Sequence, residues 1–297
     1  MTTDDLSRNR ENFCYRHPDR QSFVLCQRCL RTICPECQTT AAVGVICPEC
    51  LRDQQKAQSP AQRKAERRWS RPRALSTGSG QPVVTYTIIA LTAFVFLLSL
   101  IPGGVGDAVQ GALRYWAPAL YPQFNGEFQP WRLLTVSLVH SGFWHVGLNM
   151  LALWMIGRSL EPLLGRWRFL TLYLLSALGG SVAVTLLSFT TPVVGASGAI
   201  FGLFGALLVI GRHIGANIAG IAIVLGVNLV IGFIPGFNVS WQAHIGGLLV
   251  GLLVAFIFTR TRAVRQRGLQ IGLLVAVGAG LVALLFVPVV FPSLILL

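Results

Sequence analysis

Ser197 sits in the run Gly195-Ala196-Ser197-Gly198, at the start of an apolar stretch. A serine hydroxyl becomes a nucleophile when an adjacent base takes its proton. His244, in Trp241-Gln242-Ala243-His244-Ile245-Gly246-Gly247, is a candidate base near the start of another apolar stretch. Gly247 and Gly251 have the GxxxG spacing that lets membrane helices pack closely. Two helices packed in this way would bring Ser197 and His244 together at similar depth. His145 and Asn149, in the run His140-Ser141-Gly142-Phe143-Trp144-His145-Val146-Gly147-Leu148-Asn149, are four residues apart and share one helix face. Both can donate hydrogen bonds, and donors aimed at a developing oxyanion are a major catalytic effect. Each feature also has a plainer reading. Gly198, Gly202, Gly205 and Ala206 make a thin helix face suited to packing, and His244, His145 and Asn149 could serve as interhelical hydrogen-bonding groups.

These residues need helices to hold them. The chain is 53% hydrophobic and only 12% charged, about half the charged fraction of a soluble domain. It is therefore expected to be an all-α polytopic membrane protein. A crossing helix needs about 20 apolar residues. Seven segments answer that description: Val83–Ile101, Phe143–Leu160, Arg168–Phe189, Gly195–Gly211, Ala216–Ile234, Trp241–Thr259 and Ile271–Phe291. The second and fourth are short or polar for lipid-facing helices and are expected inside the bundle. Lys and Arg favour cytoplasmic loops. The basic residues before the first segment, Arg158, Arg166 and Arg168, then Arg212, then Arg260, Arg262, Arg265 and Arg267, fall in alternate connections. This predicts a cytoplasmic N-terminus, an external C-terminus and an integral location, with a bacterial plasma membrane expected. The aromatic first external loop, Pro102–Ser141, is expected to lie partly in the membrane interface. No apolar h-region lies in the first 80 residues, so no signal peptide is expected.

No Asp or Glu follows Glu161. A base at His244 would thus work with Ser197 as a dyad, without an acid to complete a triad. The absence of HExxH argues against a membrane zinc metalloprotease. The absence of intramembrane Cys removes a thiol nucleophile, and the shortage of carboxylates weakens an ion-coupled transporter reading.

All seven cysteines lie in the polar head. Cys14-x2-His17, Cys26-x2-Cys29, Cys34-x2-Cys37 and Cys47-x2-Cys50 supply eight ligands, enough for two tetrahedral zinc ions. The expected cytoplasmic placement argues against disulfides. A piece with so few large apolar residues would need metal to fold. Two zinc ions with seven thiolates would lower the formal charge of +13 to about +10. With every coordination position filled by protein, these ions would be structural, and catalysis would use no cofactor. Between head and membrane body, Lys56, Arg63, Lys64, Arg67, Arg68, Arg71 and Arg73 form a basic run ahead of Ser76-Thr77-Gly78-Ser79-Gly80. Its closeness to the first apolar segment favours anionic lipid headgroups over nucleic acid as its partner. The Ser/Gly stretch reads as a flexible joint.

Taken together, Trp131-Arg132, His140, His145 and Asn149, the GxSG run at Ser197 and Ala243-His244-x-x-Gly247 resemble the rhomboid family of intramembrane serine proteases over roughly residues 83–260. The resemblance implies a six-helix bundle in which Ser197 attacks the scissile carbonyl of a transmembrane substrate and His244 takes and returns the proton. It also implies that His145, Asn149 and the Ser197 amide hold the oxyanion, with Trp131 and Arg132 structural. Many rhomboids carry Tyr where this chain has Phe201; the ring could still stack on His244. The seventh helix is an addition to the basic body. The head resembles a B-box-like zinc finger. That implies a cross-brace, with Cys14, His17, Cys34 and Cys37 on one ion and Cys26, Cys29, Cys47 and Cys50 on the other, whereas the spacing alone leaves sequential pairing open. A docking or regulatory role, through a cytoplasmic protein partner, is expected of the head. The expected domains are residues 1–55 (two-zinc head), 56–82 (linker), 83–260 (protease core) and 261–297 (basic loop and seventh helix). The competing function is a catalytically silent rhomboid-like protein that binds membrane helices.

Overall fold

The computed structural model describes residues 10–40, 44–57, 81–213, 218–232, 234 and 239–294. Most of the expected linker, including Arg63 to Arg73 and Ser76 to Gly80, lies outside the described residues, as does most of the connection before Ser240. The chain divides into two compact units, residues 1–79 and 80–297.

The head carries little regular structure because its sequence is dominated by Cys-x2-Cys turns. Strands β1 (Thr39–Thr40) and β2 (Val45–Ile46) form an antiparallel pair with Thr39 opposite Ile46. Helix α1 (Pro48–Ala57) follows, with Pro48 at its first position, where a missing N–H costs nothing. Leu30 has φ 59°, and this left-handed turn lets its N–H donate to the Cys26 carbonyl at 2.8 Å. Among the described residues of the head, the buried apolar side chains are Ile33, Ile46 and the cysteines other than Cys29, which is half-buried. That is too small a core to hold 40-odd residues without a further staple.

The membrane body is built from α2 (Val83–Ser99), α3 (Val105–Leu113), α4 (Phe143–Leu164), α5 (Arg166–Leu187), α6 (Ser197–His213), α7 (Ala219–Ile231), α8 (Trp241–Arg260) and α9 (Arg267–Leu284), joined by short helical turns. Arg166–Leu187, Trp241–Arg260 and Val264–Val290 are long and apolar enough to cross a membrane; Val83–Ser99, Ser197–His213 and Ala219–Ile231 are shorter apolar helices. With the matching family described below, this makes the chain an integral membrane protein.

Helices α5, α6 and α8 form the centre. Their contact is made by small residues: a Cβ on Gly247 would collide with the Gly198 carbonyl, and one on Gly251 with the backbone of Gly202. The GxxxG of α8 therefore meets a second one, Gly198 to Gly202, in α6. Backbone-to-backbone approach of this kind holds helices together where no hydrophobic effect can. Helix α6 is buried along most of its length, as its composition predicts. Helix α4 departs from expectation. It is not enclosed: Phe143, Trp144, Leu148, Leu151 and Met155 are all more than half exposed. Its polar character reflects one inward stripe, Asn149, Leu153, Ile156, Leu160 and Glu161, beside an apolar outer face.

Both ends of the bundle are tied by polar contacts. At one end, the buried Glu161 carboxylate accepts from the Val84 N–H (2.9 Å), the Thr85 N–H (2.8 Å) and the Thr85 hydroxyl (2.8 Å). A carboxylate at a helix N-terminus satisfies orphan amides and suits the helix dipole. Gly165, at φ 82°, turns the chain from α4 directly into α5. Arg168 donates to Gln270, whose amide donates to the Thr261 carbonyl (3.0 Å) and hydroxyl (2.6 Å), fixing the start of α9 against α5 and α8. At the other end, the Tyr121 hydroxyl donates to the Leu285 carbonyl at 2.6 Å. The long first loop folds back on α3. Trp131 Nε1 donates to the Ala112 carbonyl (3.0 Å), Arg132 to the Arg114 carbonyl (2.7 Å) and Thr135 to the Leu113 carbonyl (3.0 Å). Three carbonyls at the end of α3 are thereby satisfied, and the Trp131-Arg132 pair does structural work in this loop.

Candidate active site and metal clusters

Ser197 begins α6, and His244 lies in the first turn of α8. The Gly198–Gly247 contact sets these two helix starts side by side. Ser240 caps α8 through its hydroxyl, which accepts from the Ala243 N–H at 3.4 Å. A serine just ahead of an apolar run is an N-cap signal legible in sequence, though its link to the site is not. The Phe201 ring, one turn into α6, stacks on the His244 imidazole with centroids 3.9 Å apart and planes inclined by 13°. The expected stacking therefore occurs without a tyrosine hydroxyl.

The segment before Ser197 is held from outside. Tyr115 and Val193 exchange backbone hydrogen bonds of 3.0 and 2.8 Å, and the Gly195 N–H donates to the Val136 carbonyl at 3.0 Å. The Ala196 N–H donates to His140 Nε2 at 3.4 Å, with the His140 ring 1% exposed. The first loop and His140 thus set the backbone that presents Ser197.

His145 has a defined proton position. Its Nδ1 receives the Ser141 N–H at 3.4 Å and lies 3.0 Å from the Ser141 hydroxyl. A backbone N–H can only donate, so Nδ1 is the acceptor and a neutral ring carries its proton on Nε2. That Nε2 faces Gly195: a Cβ on Gly195 would lie 2.7 Å from it and 3.8 Å from Ser197 Oγ. Gly195 has φ +120° and no side chain, both of which this approach requires. Asn149 donates one amide proton to the His145 carbonyl at 2.8 Å, leaving the other free. Ser141's hold on His145 was not foreseen from sequence, because an i, i+4 serine–histidine pair carries no distinctive signal.

Ser197, His244, His145 and Asn149 line one cavity of about 650 Å³. Trp144, Phe201, Asn228 and Ser240 line it too. His244 Nδ1 is buried with no hydrogen-bond partner among the described residues, and no acid faces it. Among the described residues Ser197 and His244 share the cavity without a direct hydrogen bond. Catalytic hydrogen bonds are often long in free enzymes and tighten with substrate.

In the head, the ligand atoms of Cys14, His17, Cys34 and Cys37 lie within 4.8 Å of one another, and so do those of Cys26, Cys29, Cys47 and Cys50. This is the cross-braced grouping. Nδ1 of His17 faces Cys34 at 3.3 Å, Cys37 at 3.4 Å and Cys14 at 3.8 Å. Tetrahedral zinc with bonds of about 2.3 Å to sulfur puts sulfurs about 3.8 Å apart; Cys29 and Cys47 are 3.8 Å apart. All seven cysteines are free thiols. Burial opposes ionisation of Cys14 and Cys26, but backbone N–H groups aimed at their sulfurs outweigh it and hold both at about 6. Burial and neighbouring thiols push Cys37 up to about 11 and Cys50 up to about 12. A cation inside each cluster would relieve that mutual repulsion, so the residues fit a metal.

The chain is similar in sequence to known proteins of one family. The Rhomboid domain family matches residues 127–261. The rhomboid protease GluP of Bacillus subtilis is 37% identical over 212 residues, covering 68% of this chain and 40% of GluP. RHOMBOID-like protein 1 of Arabidopsis thaliana is 38% identical over 135 residues, covering 43% of this chain and 34% of the plant protein. The chain thus spans well under half the length of these two relatives. The rhomboid-type protein YdcA of Bacillus subtilis is 36% identical over 188 residues, which cover 59% of this chain and 88% of YdcA. A relative this similar, matched over nearly its whole length, shows that the chain belongs to the rhomboid family.

Proposed function

We propose that this protein is an intramembrane serine endopeptidase that cleaves transmembrane substrates. The observation that supports it best is the meeting of Ser197, His244, His145 and Asn149 at one cavity. In this reading Ser197 Oγ attacks the scissile carbonyl while His244 takes its proton. A tetrahedral oxyanion forms, held by the Nε2–H of His145, the free amide proton of Asn149 and the Ser197 N–H. Collapse of the intermediate expels the amine, which receives the proton from His244, and water from the cavity then releases the acyl group. The unpartnered His244 Nδ1 favours a dyad. Phe201 holds the ring flat while it changes charge, a cation–π contact that gains strength when the ring is protonated.

Incubation of the purified protein with a transmembrane substrate should yield a cut that Ser197→Ala abolishes. A fluorophosphonate should label Ser197 and no other serine. Cleavage that persists in Ser197→Ala would sink the nucleophile assignment. The absence of a Ser197–His244 hydrogen bond favours a second reading, a silent rhomboid that binds membrane helices. Failure of the wild type both to cleave and to label would select it.

The head is assigned two structural zinc ions, on Cys14, His17, Cys34 and Cys37 and on Cys26, Cys29, Cys47 and Cys50. It is placed in the cytoplasm together with the basic linker, which would meet anionic lipid there; the C-terminus is placed outside. The domain division at 1–55, 56–82, 83–260 and 261–297 goes with this assignment.

A further inference from the structure

Helix α7 is apolar along its described length except for Asn228. Leu225, Asn228 and Ile231 are three residues apart and share a face. Leu225 is the one side chain of α7 buried among the described residues. Asn228 and Ile231 line the same cavity as Ser197 and His244. The Asn228 side chain is exposed, and its Nδ2 donates to the Val224 carbonyl at 2.8 Å. A primary amide has two N–H donors and an oxygen with two lone pairs. One N–H and Oδ1 therefore remain to serve something in the cavity. A polar group at membrane depth is costly unless it has a partner, and such residues mark functional surfaces.

We propose that Asn228 binds the backbone of the substrate segment that Ser197 attacks, pairing with its peptide N–H and C=O. This rests on the proteolytic reading above. A peptide bond inside a membrane helix has its N–H and C=O committed along the helix. To present its carbonyl to Ser197, the segment must leave that helix, and several backbone groups then lose their partners together. Asn228 carries a donor and an acceptor on one side chain at the wall of the cavity that His145 and Asn149 also line. The ligand class is thus an extended stretch of a transmembrane chain, recognised by its main chain and not by its side chains. Val224 orients the amide by taking one N–H, which leaves the remaining donor and acceptor free for the substrate.

Asn228→Leu keeps size and removes both hydrogen-bonding functions; Asn228→Gln keeps them. In vesicles, kcat/KM for a transmembrane substrate should fall about tenfold in Asn228→Leu, recovering at least in part in Asn228→Gln. Fluorophosphonate labelling of Ser197, which needs no substrate backbone, should stay within about twofold of wild type. Cleavage by Asn228→Leu at or above the wild-type rate overturns the proposal. So does a parallel loss of cleavage and labelling, which would make Asn228 a structural residue of the cavity. A wild-type protein that does not label at all overturns the protease reading itself, a result distinct from either.

Discussion

At the scale of single residues, the site depends on what is missing as much as on what is present. Gly195 has no Cβ and holds φ +120°, so that His145 Nε2 can sit where a side chain would begin. Gly195→Ala should therefore abolish fluorophosphonate labelling while leaving the detergent-solubilised protein folded by circular dichroism; normal labelling would show that His145 does not need this approach. Phe201 stacks on His244 over 3.9 Å. Aromatic pairing is worth about 0.5–1.5 kcal/mol beyond buried area, so Phe201→Ala should lower kcat/KM by about three- to tenfold through this contact alone. Phe201→Tyr should be near neutral. A Phe201→Ala enzyme with unchanged kinetics would remove the ring from the machinery. Ser197, His244, His145 and Asn149 were legible in sequence because each is a polar residue in an apolar stretch. Ser141, His140's hold on the Ala196 amide and the tautomer of His145 were not, because they depend on which atoms face each other after folding.

At the scale of elements, α6 and α8 act as a matched pair. The reciprocal Gly198–Gly202 and Gly247–Gly251 contacts put backbone against backbone, with Ser197, the proposed nucleophile, one residue before Gly198 and His244, the proposed base, one turn before Gly247. Gly247→Val should cost about 3 kcal/mol by overpacking, read as a lower unfolding midpoint in detergent, and should also reduce labelling because it moves the dyad apart. Stability matching wild type would contradict the close approach. Glu161 makes a different tie, capping α2 from the end of α4, the helix that carries His145 and Asn149. Glu161→Ala would leave the half-buried Val84 amide and the buried Thr85 groups without their acceptor, at about 1–3 kcal/mol for each unsatisfied buried group. A thermal shift of only a degree would mean that water substitutes there. In the sequence, Glu161 is just the last acidic residue before an apolar half. Nothing local says that its partners are the amides at the start of another helix.

At the scale of the whole chain, two units obey different stability rules. The membrane body is held by helix contacts and by polar ties at both ends, including the Arg168–Gln270–Thr261 link that secures the seventh helix. Gln270→Leu should loosen α9 and raise its proteolytic sensitivity without altering cleavage by the core; a lost activity would give α9 a catalytic part. The head, with Ile33 and Ile46 as the sole buried non-cysteine apolar residues among those described, should unfold when metal is stripped. Elemental analysis should find about two zinc ions per chain, and a chelator should abolish head structure while leaving fluorophosphonate labelling of the body intact. Cys34→Ser should release one ion and Cys47→Ser the other. Loss of the same single ion in both would refute the two-cluster arrangement.

Composition and periodicity by themselves determined that this is a membrane-embedded helical protein with a metal-suited head, since hydropathy and Cys-x2-Cys spacing are properties of the chain before it folds. The likeness of its motifs to one family added which serine and histidine to watch. Tertiary structure decided the rest. It paired Cys14-x2-His17 with Cys34-x2-Cys37 across an intervening Cys-x2-Cys, because turns that interleave in space are indistinguishable by spacing from turns that do not. It turned α4's outer face outward, although its polar residues suggested an enclosed helix, because a single inward stripe is enough to carry them. It placed Phe201 on His244, 43 positions along the chain, and Asn228 on the wall of the same cavity, placements that no local pattern encodes.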